Sequence, residues 1–110
     1  MIVEVVGGAD EVPEVRVADV DDLTRLHLAV GAVTDEDIDS ALRNAGMGRL
    51  VDGENGVLDV AALRAAAEPR ATTANWAEQF DGMVAYAAGK GWAVDDGAGL
   101  QVHVEPAASA

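Results

Sequence analysis

The chain is 110 residues long, half hydrophobic and a quarter charged, which fits one globular domain rather than two domains or a disordered segment. Twenty Asp and Glu against seven Lys and Arg leave a net charge of −13, a field that repels phosphate backbones and anionic membrane surfaces. Cysteine is absent, so disulfides, thiolate nucleophiles and cysteine-ligated zinc are excluded.

The apolar run at residues 2–6 reads as a strand ended by Gly7 and Gly8. After Pro13, Val15 and Val17 alternate with Arg16 as a second strand, with a turn between the two. Asp19, with Asp21 and Asp22 in the first turn, suits the start of a helix. Val20, Leu23, Leu26, His27 and Val30 would share its apolar face, and Gly31 would end it. Thr34 then caps a second helix whose first turn holds Asp35, Glu36 and Asp37. Ile38, Ala41, Leu42 and Ala45 keep its helical spacing, and Gly46 stops it.

Residues 49–51 and 57–58, joined by an Asp-Gly-Glu-Asn-Gly turn, read as a hairpin. Asp59 caps a short Ala-rich helix that stops before Pro69. Thr72 or Thr73 would open the last helix, with an apolar stripe of Trp76, Phe80, Met83, Val84 and Ala87, ending at Gly89. Trp92 and Val94, a turn at 95–99, then Leu100, Val102 and Val104 form another hairpin, and residues 106–110 form a loose tail.

Two stretches match in order. Asp19-Val20-x-x-Leu23 pairs with Asp59-Val60-x-x-Leu63. Ala45-Gly46-x-Gly48-x-x-Val51-Asp52 pairs with Ala88-Gly89-x-Gly91-x-x-Val94-Asp95. The expectation is an α+β domain over residues 1–105: about four helices on a small, mostly antiparallel sheet, with two pseudo-repeated helix-helix-hairpin units of winged-helix-like outline. A winged helix that reads DNA needs bases on its second helix. Here Asp35, Glu36, Asp37 and Asp39 face Arg43 alone, so nucleic acid is not the expected partner.

Catalytic chemistry is thinly represented. The serines, Ser40 and Ser109, sit on no G-x-S-x-G elbow. Lys90 lies in no phosphate loop, and Gly7-Gly8 opens no dinucleotide fingerprint, so no cofactor is expected. The Asp52–Gly56 turn resembles a calcium loop only superficially, since its sixth and twelfth positions are Val57 and Leu63. His103 lies between Val102 and Val104 on the last strand, which puts Gln101, His103 and Glu105 on one face, the best polar constellation in the chain. A metal would need His27 to meet His103 through Glu105, with no HExxH-type spacing to bring them together, so no metal is expected. Trp76 belongs to the apolar stripe. Tyr86 lies off it and suits an interface.

Three functions fit these residues. The first is an acidic protein–protein interaction or accessory module, self-associating or homodimeric in one form, with contacts at Asp35, Glu36, Asp39 and Tyr86 and along the last hairpin. The second is a small-molecule binder or minor enzyme around His103, Glu105, Gln101 and His27, with Trp92 as a wall. The third is an acidic mimic of nucleic acid. Residues 1–10 lack the basic start of a secretory signal and no run approaches the ~18 apolar residues of a span, so a cytoplasmic location without membrane contact is expected.

Overall fold

A strand with one buried face shows it by alternation. In Ile2–Val6 (β1), Val3 and Val5 are fully buried while their neighbours are half-buried. In the computed structural model, which describes residues 1–7 and 13–106, β1 pairs antiparallel with Glu14–Ala18 (β2), so Val17 and Val15 lie beside Val3 and Val5. Most of the turn expected between them, and the tail from residue 107 on, lie outside the described residues.

The expected helix over 19–30 does not form. Asp19 takes a φ of 50°, its carbonyl accepts from Asp22 N, and the segment runs as a loop into a strand, His27–Val30 (β3). Strand β3 lies between β1 and His103's strand and is parallel to both, so Leu28 and Ala29 are buried in succession. A central parallel strand reads as a continuous apolar run. The spacing of Val20, Leu23, Leu26 and Val30 mimics a helical stripe because loop anchors and strand residues happen to fall at those intervals.

Asp35–Asn44 (α1) forms as expected: Thr34 caps it by accepting from Asp37 N, and Ile38 and Leu42 are its buried face. Gly46 follows in the left-handed conformation at φ 68°. Gly48–Leu50 (β4) and Asn55–Asp59 (β5) make the expected hairpin, with the Asp52 carboxylate accepting from Glu54 N and Asn55 N across its turn. Asp59 caps Val60–Ala67 (α2) through Ala62 N, and a short 3₁₀ turn follows.

Trp76–Gly89 (α3) begins later than expected, because Thr72 and Thr73 both donate to the Asp21 carboxylate. Gly89 is its last helical residue, and the left-handed turn that follows the helix falls at Gly91, at φ 82°. Ala93–Val94 (β6) and Gly99–Pro106 (β7) form the last hairpin.

The sheet order is β2-β1-β3-β7-β5-β4, with β6 also on β7. Four helices on a small antiparallel sheet is thus corrected to three α-helices and seven strands in a curled, mixed half-barrel, among the described residues. The first helix-helix-hairpin unit lacks its first helix, so the winged-helix-like outline is lost with it.

All three helices contribute to a core on one side of the sheet, where Ile38, Leu42, Leu63, Trp76 and Phe80 meet Val3, Val5, Leu28, Leu58 and Val102. Trp76 stacks on Phe80 at 5.0 Å between ring centroids, and its Nε1 donates to Val20 O at 2.6 Å. That bond and the Asp21 carboxylate fasten the 19–24 loop to the start of α3. The other face of the sheet carries Glu4, Arg16, His27, Gln101, His103 and Glu105.

Candidate binding hollow

Strand β7 is flanked unevenly. Strand β5 runs along one edge from Gly99 to His103. On the opposite edge β6 covers Gly99 and Leu100, and β3 covers Val104 through Pro106. Between them, among the described residues, a single bond from Gln101 N to Trp92 O, 2.8 Å, continues the ladder. The interruption is bordered by residues 23–26 and by the last turns of α3. It opens a hollow of about 490 Å³ walled by Leu23, Leu26, Met83, Ala87, Leu100 and Val102. Thr24, Arg25, Gln101 and His103 supply its polar side chains, and Tyr86 and Trp92 complete it.

Tyr86 and Trp92 are 61% and 43% exposed, and they meet edge to face with ring centroids 6.1 Å apart. They hold each other's orientation rather than fold into the core. The Lys90 ammonium sits 5.5 Å from the Tyr86 ring centre, within reach of its π face.

A second hollow, about 480 Å³ and mostly polar, shares Thr24, Arg25, Leu26 and His103 with the first. Asp19, Asp22, His27 and Glu105 line it as well. Here His27 Nδ1 lies 2.9 Å from Arg25 O and Nε2 lies 3.3 Å from Glu105 Oε2. A carbonyl can only accept, so Nδ1 carries the proton. The neutral ring then turns a lone pair toward Glu105, and a second proton makes the contact an ion pair. Asp22 is held below the usual carboxylate range by the Thr24 hydroxyl and then the Thr24 amide.

Of the residues singled out by sequence, Gln101, His103 and Glu105 do share an exposed face of β7. His27 reaches Glu105 from β3 rather than from a helix face. His103 and Trp92 line the apolar hollow. Among the described residues, no group of three His, Asp or Glu could hold a metal ion. Asp35 and Glu36 are exposed at the start of α1, where they complement the helix dipole. Asp39 is engaged within the fold: it accepts from Arg43 Nε at 2.8 Å and Leu50 N at 2.9 Å, contacts that depress its pKa, the Arg43 bond most.

Arg25 and Met83 carry no mark in the sequence as wall residues, and Leu23 and Leu26 line the hollow from a loop rather than from the expected helix. The exposed, off-stripe position of Tyr86 was the signal pointing here. The chain matches no family model, no curated protein and no solved structure.

Proposed function

We propose that the protein is an interaction module that docks a partner protein by receiving one of its apolar side chains in the hollow beside Tyr86 and Trp92. The observation that carries this is the pair of exposed aromatic rings at the mouth of an apolar cavity. Solvent-facing rings of this size are tolerated singly, but two of them around a concave apolar wall make a contact surface. Trp, Tyr and Arg are the residues that dominate binding energy at interfaces, and Trp92, Tyr86 and Arg25 stand together here.

Catalysis is the weaker reading, because the titratable groups near the hollow are engaged in structural bonds or face open solvent. A small-molecule ligand is a second reading, favoured by the cavity volume, which falls in the ~300–1,000 Å³ range of ligand sites, and by the convergence of His103, Gln101 and Arg25 on it.

The test uses tagged wild-type protein and its Tyr86→Ser/Trp92→Ser variant as baits in the same lysate. Both side chains are exposed, so the variant keeps its fold, which a thermal melt checks. The expected result is a stoichiometric protein recovered by the wild type and lost by the variant, each single change weakening binding about thirtyfold. Asp35→Lys/Glu36→Lys should leave that complex intact. A partner retained by the aromatic variant would move the contact away from the hollow. A small molecule bound in place of any protein would favour the second reading.

A further inference from the structure

Twenty of the 110 residues are Asp or Glu, yet among the described residues no carboxylate lines the apolar hollow. Three other hollows of more than 300 Å³ among the described residues each have at least one: Asp22 beside β3, Asp59 beside β5 and Glu4 beside β2. The cations are divided in a matching way. Arg43, Arg49 and Arg64 pair with Asp39, Asp95 and Asp81, Arg70 donates to Val17 O, and Arg16 stands opposite Glu4 in the β1–β2 register. Arg25 and Lys90 make no ion pair among the described residues, and both stand at this hollow, one in its wall and one against the Tyr86 ring. Asp22, the carboxylate near Arg25, accepts from Thr24 and feels the Arg25 charge without closing an ion pair with it. The His27 bond to Arg25 O holds that backbone in place.

An apolar cavity with no described acid in its lining, and with cations outside any close ion pair at its rim, complements an anion with an apolar body. The overall charge of −13 works against this at long range, but beyond ~10 Å it is screened at 0.1 M salt, so contact selectivity is set by the rim. We infer that the docked partner segment is acidic next to its apolar anchor, with the anchor against Leu26, Met83 and Trp92 and a carboxylate against Arg25. The inference rests on the docking reading above and adds the charge of what docks.

The probes are three capped hexapeptides, Gly-Xaa-Phe-Leu-Xaa-Gly, with Xaa as Glu, Gln or Lys. They are titrated to millimolar concentration into ¹⁵N-labelled protein at physiological salt. Binding is read from the backbone amides of residues 24–26 and 86 and from the Trp92 indole, with the buried Trp76 indole as an internal control. The Glu peptide should bind about fivefold tighter than the Gln peptide, with Lys the weakest. Arg25→Glu, an exposed change, should invert that order while leaving the amide spectrum otherwise folded. Equal binding of the three, or preference for Lys, would overturn the inference and leave the docking reading standing. No shift with any peptide would overturn both.

Discussion

Asp21 is half-buried, and its carboxylate accepts four hydrogen bonds, from the amides and hydroxyls of Thr72 and Thr73, at 2.8–3.0 Å. These donors favour the ionised form, the Thr73 amide most, then the Thr72 amide, and lower the pKa from 3.8 to about 2. A carboxyl whose folded pKa lies below its unfolded value contributes stability above the unfolded pKa, and that contribution is lost as pH falls toward the folded one. Asp21→Asn should therefore be less stable than the parent by a constant amount above about pH 4, with the gap closing between about pH 4 and pH 2. Urea unfolding across that range measures it; a gap that persists at pH 2 would contradict the assignment. In the sequence Asp21 looks like an ordinary first-turn acid. Nothing local marks its true partners, which are more than fifty residues away. His103, by contrast, could be picked out because strand alternation alone fixes its face.

Elements bounded by local chemistry were legible, and those bounded by neighbours were not. Thr34, Asp59, Gly46 and the Asp52 turn announce α1, α2 and the β4–β5 hairpin through bonds made within a few residues. Strand β3 has no such punctuation; it is a strand because β1 and β7 flank it. The hollow was hidden for the same reason, since its wall depends on where residues 23–26 run. Two glycines show how far an element's demands differ from its sequence. Gly48 has a φ of 152°, and a Cβ there would lie 2.0 Å from Val57 O, so Gly48→Ala should cost about 2 kcal/mol or more. Gly82, inside α3, has open space where a Cβ would lie, with nothing within 4 Å, and Gly82→Ala should stabilise by about 1 kcal/mol. Chemical denaturation of the two variants reads opposite signs, and like signs would count against this backbone.

At the scale of the molecule, four ion pairs, including His27–Glu105 when the ring is protonated, leave most of the twenty acids without a cationic partner among the described residues. Self-repulsion of that kind opposes the folded state and is relieved by counterions. The melting temperature should rise by a few degrees as salt is raised from near zero to physiological strength, as followed by circular dichroism; a fall would mean that the ion pairs outweigh the repulsion. Charge and composition disclose this much without a structure. The sheet order does not follow from them, because it depends on parallel pairings between strands distant in sequence.

That order has a consequence for how the chain comes into being. The strand between β3 and β5 is β7, which follows all the other described strands in the chain. Among the described strands β1–β2–β3 and β4–β5 pair only through β7, so until it is made β3 and β5 each have an edge with no partner in this fold. Cooperative closure thus waits for residues 99–106, and a ribosome stalled before them presents nascent edges that a chaperone, or another copy, can capture.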